Sequence, residues 1–288
     1  MAKTADFSWA ELLQNRRKSL PLIAGIVNAT PDSFSDGRNA VDHAERVAFA
    51  LQLLDDGADL IDLGGESTRP GAAEVAPDLE WERIAPVLSG ILSVRPETII
   101  SIDTRHAATA EKALLAGAKI INDVSGLQFD GAMASTVARY HAGVILNHST
   151  GTPEVMQSSG SVLTDNTVQA VAQALQEILT FALQNNIEPG KIMLDVGIGF
   201  GKSRGGNYAL LRNAGWFEEK FTLPFCWGVS RKSLLKSEPD TMEKRIAGSL
   251  ALAVKLAEQN VSLLRVHDVA ATAAALNAAQ EFAGADLC

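Results

Sequence analysis

Eight short apolar segments recur along the chain: LIAGIVN, DLIDLGG, TIISIDT, KIINDVS, GVILNHS, KIMLDVG, FCWGVS and SLLRVHD, each closing on polar or glycine residues. Runs that are largely apolar, without strict alternation, suit strands covered on both faces. Between most of them the apolar period becomes helical. Val41, Ala44, Val47, Ala48, Leu51 and Leu54 fall on one face of a predicted helix, as do Val168, Val171, Leu175, Ile178 and Leu179. No Pro/Ser-rich linker or charge block divides the chain, and the one biased tract is alanine-rich, around 270–279. Strand–helix alternation repeated eight times in 288 residues predicts an α/β fold, a single-domain (β/α)8 TIM barrel over 21–288 preceded by an N-terminal extension, 1–20. The competing doubly wound sheet would gather its polar residues at one switch point, which describes this sequence less well.

Composition narrows the partners. With 47% hydrophobic residues the chain can bury a sizeable core, and a net charge of −9 argues against unspecific attraction to nucleic acid or to an anionic membrane surface. A small anionic substrate held in a local positive pocket remains compatible with that charge. Cys226 and Cys288 are the only cysteines, so neither a disulfide framework nor a cysteine metal site is expected, which suits a reducing cytoplasm. The first residues lack an apolar signal core, and no run reaches the roughly 18 apolar residues of a membrane span.

In a barrel of this kind the functional groups sit at the C-terminal ends of the strands. Immediately after the predicted strands come Asn28, then Glu66 to Arg69, Asp103, Asn122 with Asp123, His148, Asp195, Ser230 to Lys232, and Arg265 with His267. Arg69, Lys232, Arg265 and His267 form a cationic set within an acidic protein, which points to an anion. Guanidinium groups suit phosphate, and Ser67, Thr68 and Ser230 add hydroxyl donors. The structural alternative pairs Arg69 and Arg265 with Glu66 and Asp268. Asp103, Asn122 and Asp195 offer acceptors and a donor to a flat heterocycle, although an Asp at a strand end is also a natural cap for the next helix. The loop NATPDSFSDG at 28–37 has turn chemistry and reads as a lid, and the Asn28 amide oxygen could meet Mg2+. GFGKS at 199–203 lacks the spacing of a nucleotide-binding P-loop.

Taken in order, GIVNATPDSFSDG, DLGGESTRPGA, SIDT, INDVSG, LDVGIGFGK, GVSRKS and RVHDV resemble the successive motifs of the bacterial dihydropteroate synthase family, from about Ile23 to Val269. The resemblance implies a TIM barrel, usually a homodimer, using Mg2+ in folate biosynthesis. Its small-molecule substrates are a 7,8-dihydropterin-6-ylmethyl diphosphate and 4-aminobenzoate, and pyrophosphate is released. It further implies that Asp103, Asn122, Asp195 and Lys232 hold the pterin with Phe200 beside it. Thr68, Arg69, Arg265 and His267 would take the diphosphate, Asn28 the Mg2+, and Phe34 with Ser233 would border the aminobenzoate; Asp103, Lys232, Arg265 and His267 would carry the chemistry. The chain departs from the family pattern at Asn147 and Ser149, where methionines are usual, at Val196 and Ile198, where proline and phenylalanine are usual, and at the GGN of 205–207. Three other readings are a diverged paralogue using a different pterin-like diphosphate, a pterin-dependent methyltransferase, and a silent barrel. Retention of Lys232, Arg265 and His267 argues against the last.

Overall fold

A computed structural model describes residues 7–14, 20–30, 42–67, 74–149 and 166–284. Its eight strands are all parallel and close into a barrel in chain order: β1 Leu22–Asn28, β2 Leu60–Gly64, β3 Ile100–Asp103, β4 Ile120–Asp123, β5 Gly143–Asn147, β6 Ile192–Asp195, β7 Phe225–Trp227 and β8 Leu263–Val266. Each lies inside a run predicted from the sequence. α1 (Trp9–Gln14) precedes the barrel. After successive strands come α2 (His43–Asp55), α3 (Pro77–Val94), α4 (Ala107–Leu115), α5 (Met133–Tyr140) and α6 (Thr167–Gln184). α7 (Arg204–Arg212) and α8 (Ala214–Phe221) share the β6–β7 connection, and α9 (Met242–Ala257) and α10 (Val269–Phe282) complete the ring. No helix among the described residues is long and apolar enough to cross a membrane.

Side chains alternate across each strand, so the barrel has two apolar cores. Leu22, Ala24, Leu60, Ile120, Ile145, Met193, Cys226 and Leu263 fill its interior. The other face, with residues such as Ile61, Leu63, Ile121, Val144, Leu146 and Leu194, packs under the helices. One step of two residues beyond the interior layer, the same inward face carries Asp62, Asn122, Asn147, Asp195 and Arg265. The interior therefore changes from hydrocarbon to polar groups at the strands' C-terminal ends.

The second predicted helical face is observed, with Val171, Leu175, Ile178 and Leu179 buried. The first is rotated: Ala50 and Leu53 are buried in α2, Val47 and Leu54 only half, while Ala44 and Ala48 face solvent. Packing against α3 sets this orientation. A Cβ on Gly90 would lie 2.5 Å from Val47 Cγ2, so the bare backbone of α3 admits Val47 at close range.

The extension reaches the far end of the barrel from the strand C-termini. Phe7 and Trp9 join the interior cluster, their rings edge-to-face with centroids 4.9 Å apart. Trp9 Nε1 donates to the Lys191 carbonyl at 2.9 Å, and Lys191 Nζ returns a bond to the Phe7 carbonyl at 2.6 Å. A Cβ on Gly143 would stand 2.5 Å from the Phe7 ring, so glycine there is what lets the plug seat against β5.

Candidate active site

Arg265 stands at the centre of the mouth. Inward alternation from Leu263 places it there, where its Nε donates to Asp62 and its Nη2 to Asp103 at 2.5 Å. Asn122 Nδ2 approaches both Asp62 oxygens, at 3.2 and 3.4 Å. Four strands thus contribute to one network. Burial opposes the Arg265 charge, but Asp62 and Asp103 more than offset it and hold the guanidinium protonated. Burial pushes the Asp103 carboxyl up to about 7, against the pull of Arg265 and with Asp62 adding to the rise. Arg265 is thus salt-bridged, as the structural alternative has it, but to other partners: Arg105 holds Glu66 by two bonds of 3.2 and 3.0 Å, and Arg231 holds Asp268. Asp62 was not singled out in the sequence, although a lone carboxylate inside the run ADLIDL was a usable signal.

A second group lies across β6 and β7. Asp195 Oδ1 accepts from Gly197 N at 2.7 Å, and Lys232 Nζ donates to the Ile198 carbonyl while lying 4.7 Å from the Phe200 ring centroid. Burial lowers the Lys232 pKa to about 8, with Asp195 pulling it back up. Gly197 is at φ +70, and a Cβ there would come within 1.9 Å of the His148 carbonyl, so only glycine can make this turn. Lys202 fixes the same turn from beneath, donating to the carbonyls of His148, Gly197 and Phe200 at 3.1, 2.8 and 3.0 Å. Burial lowers its pKa to about 7. Three carbonyls nevertheless need three N–H donors, which only the ammonium form carries, so we assign Lys202 the charged state. Asn207 ties down the other side, accepting from Gly199 N at 2.7 Å and donating to the Lys202 and Ser203 carbonyls at 3.1 and 2.9 Å.

His148 contributes its carbonyl. Burial and the neighbouring Lys202 push its imidazole down to about 3, leaving it neutral. His267 Nδ1 lies 3.0 Å from Ser230 Oγ, which also accepts from the His267 backbone N–H at 3.1 Å. Asn28 is half-buried at the end of β1, in register with Gly64 of β2, and Ser233 is exposed on the turn after Lys232. Asp123 is turned away into a tight turn, its carboxylate accepting from Ser125 and Leu127. Asp103, Asn122, Asp195, Phe200, Lys232, Arg265 and His267 therefore gather at one end of the barrel. Phe34, Thr68 and Arg69, with most of the proposed lid, lie outside the described residues.

A buried ionic network flanks this mouth, built from residues that no sequence motif connects. Glu66 accepts from Arg105 and from Val75 N, the latter at 3.0 Å, so it joins residues on both sides of 68–73. Glu80, fully buried, accepts from Thr104 Oγ1 at 2.8 Å and contacts His106 Nδ1 at 3.2 Å. Glu66, Glu80 and His106 hold potential metal-donor atoms within 4.8 Å of one another, but Arg105 already occupies both Glu66 oxygens. A protonated His106 balances the remaining carboxylate. The hydrogen bond with Glu80 raises the His106 pKa above its ordinary 6.5. A raised histidine pKa gives stability that is complete below about 6.5 and is lost as pH rises through the folded value. Thermal unfolding followed from pH 6 to pH 9 should therefore show an alkaline loss that is smaller in His106→Gln; an identical pH dependence in the two proteins would exclude the imidazolium.

Residues 24–267 match the family described as pterin binding enzyme. The dihydropteroate synthase of Neisseria meningitidis serogroup B is 41% identical over 263 residues, covering 89% of this chain and 90% of the relative. The chain belongs to the dihydropteroate synthase family. Solved structures of the family agree in fold. That of the Yersinia pestis dihydropteroate synthase with a sulfonamide drug complex matches at TM-score 0.85 and 37% identity, over 93% of this chain and 96% of the other. The Xanthomonas albilineans dihydropteroate synthase in complex with 7,8-dihydropteroate matches at 0.80 and 33%, over 93% and 95%. Set within dihydropteroate synthases, the departures at Val196 and Ile198 are fully buried in the strand–helix core, so they alter packing behind the site. Asn147 instead lies on the inward face of β5.

Proposed function

We propose that this chain is a dihydropteroate synthase, a transferase that joins a 7,8-dihydropterin-6-ylmethyl diphosphate to 4-aminobenzoate and releases pyrophosphate. The observation that carries the reading is Arg265 fixed between Asp62 and Asp103 at the mouth of a barrel whose chain is 41% identical to a dihydropteroate synthase. Asp103 and Asp195 accept hydrogen bonds from ring N–H groups, Asn122 supplies an amide, and Lys232 donates to the ring while Phe200 packs beside it. Arg265 engages Asp62 and Asp103 through Nε and Nη2, which leaves its Nη1 N–H donors for the diphosphate. His267 joins it from the same strand end, and Thr68 and Arg69 complete the anion site in this reading, with Phe34 and Ser233 beside the aminobenzoate.

These groups suit a reaction in which the methylene C–O bond breaks and its electron pair leaves on the diphosphate. Positive charge then develops on the methylene and ring, where Asp103 and Asp195 lie, while Arg265 and His267 meet the negative charge on the leaving group. The amine nitrogen of 4-aminobenzoate donates its lone pair to the methylene carbon, forms the C–N bond and releases a proton. Held together in one mouth, the reactants need no protein nucleophile. Buried Cys226, its thiol pKa raised well above the ordinary value by burial, is unsuited to that role.

Asn28 suits Mg2+, since it offers a hard amide oxygen at the end of β1, and Mg2+ retains waters and binds substrate phosphates. When bound, that ion would neutralise diphosphate charge. A homodimer belongs to the same reading, and Phe181 and Leu183, 43% and 41% exposed on α6, are apolar side chains that a second copy would cover. Sedimentation velocity tests it. The activity itself is tested by following pyrophosphate and dihydropteroate together: both should appear in equal amounts and only with 4-aminobenzoate present. Absence of either product from correctly folded protein with Mg2+ would sink the assignment.

A further inference from the structure

We propose that Asn147 is a specificity-determining residue whose carboxamide hydrogen-bonds the edge of the pterin ring. The inference rests on the function proposed above and adds a contact to it. Asn147 ends β5 in register with Asp195 on β6, two residues beyond inward-facing Ile145. Strand alternation therefore directs it into the polar layer that holds Asn122, Asp195 and Arg265. It is only 4% exposed, yet its Oδ1 accepts no hydrogen bond among the described residues. The neighbouring inward groups are engaged: Asn122 donates to Asp62, Arg265 donates to Asp62 and Asp103, and Asp195 accepts from Gly197. Asp103 Oδ1 is another fully buried oxygen of this layer that has no partner among the described residues.

The turn after β6 accommodates the Asn147 amide. A Cβ on Gly197 would lie 2.6 Å from Asn147 Oδ1, so the bare backbone there leaves the amide its space. A buried carboxamide oxygen without a partner is costly, and a planar ligand edge bearing both N–H and carbonyl groups would satisfy it. The pterin's aminopyrimidinone edge has that pattern. A half-turn of the amide exchanges oxygen for NH2, so Asn147 can meet either an N–H or a carbonyl of that edge.

The test is Asn147→Leu, which keeps the side-chain shape and removes both hydrogen-bonding groups. Two opposite changes are expected. The unliganded variant should melt at a higher temperature than the parent, because an unsatisfied buried polar group is gone. Its dissociation constant for the pterin diphosphate should rise about tenfold, equivalent to 1.4 kcal/mol, while the KM for 4-aminobenzoate changes by less than about twofold. If the leucine variant fails to fold, Asn147→Ser withdraws the amide from the ring and should show the same loss of pterin affinity. Unchanged pterin affinity in a folded variant, whether or not its melting temperature rises, overturns the inference. Parent protein that binds no pterin diphosphate overturns the function beneath it, so the two failures are distinguishable.

Discussion

Arg265→Ala should lower kcat/KM for the pterin diphosphate by at least about tenfold, since one charge-assisted contact is worth about 1.5 kcal/mol or more. It should also destabilise the unliganded fold. Arg265 bonds Asp62 and Asp103, which are 1% and 6% exposed, and breaking a buried ion pair from one side costs about 3–5 kcal/mol. The pH dependence separates these effects. Without the guanidinium, the Asp103 carboxyl, which burial already raises in the parent, binds its proton more tightly in the folded variant than in the unfolded chain, whose ordinary aspartate pKa is about 3.9. Folded carboxyls with raised pKa values lose stability as pH rises above the unfolded value, so the variant should resemble the parent most closely in acid and fall behind towards neutrality. Adding Asp62→Asn should recover part of the stability and none of the activity. Urea unfolding at pH 5 and pH 8, with kinetics on the same preparations, checks both arms; parent-like kinetics in Arg265→Ala would remove the residue from the site.

Trp9→Ala should damage stability while sparing chemistry. Trp9 is 1% exposed in the barrel interior, packs edge-to-face on Phe7 and donates to the Lys191 carbonyl. Truncating a buried tryptophan costs about 3–5 kcal/mol. For a chain of this size each kcal/mol corresponds to about 2–4 °C, so the melting temperature should fall by about 6–20 °C. The interior apolar layer separates this plug from Asp103, Asn122 and Arg265, so both KM values, measured well below the transition, should remain within about twofold of the parent. A melting temperature equal to the parent's would show that the plug adds nothing to the barrel. The outcome also bears on the first twenty residues, which the apolar pattern alone places outside the barrel although Phe7 and Trp9 close its lower end.

Much of this protein is legible in its amino-acid sequence. The apolar runs gave the strands, because each is covered by helices outside and by other strands' side chains inside, and burial on two faces leaves little freedom of composition. Polar residues collected just after those runs, and Asp103, Asn122, Asp195, Lys232, Arg265 and His267 do meet at one mouth. Spacing in a sequence, however, says nothing of register around a closed sheet. Arg265 and Asp62 are 203 positions apart and become partners only when β8 closes against β1. No sequence pattern links Glu80, Arg105 and His106, because their common feature, burial beside Glu66, belongs to no single segment. Lys202 likewise stands in a glycine-rich stretch without P-loop spacing, while its function as a three-carbonyl anchor depends on His148, which follows the end of β5.

Barrel class, strand order, the end at which polar groups gather and the family can all be read from the chain alone, because periodicity and contiguous motifs are local properties. It takes the closed fold to show which carboxylates hold Arg265, that His148 is buried in neutral form, that the Asn147 oxygen at the mouth has no partner among the described residues, and that Phe7 and Trp9 plug the barrel. Each of these depends on distance and desolvation between segments remote in sequence, and those quantities come into existence when the sheet closes.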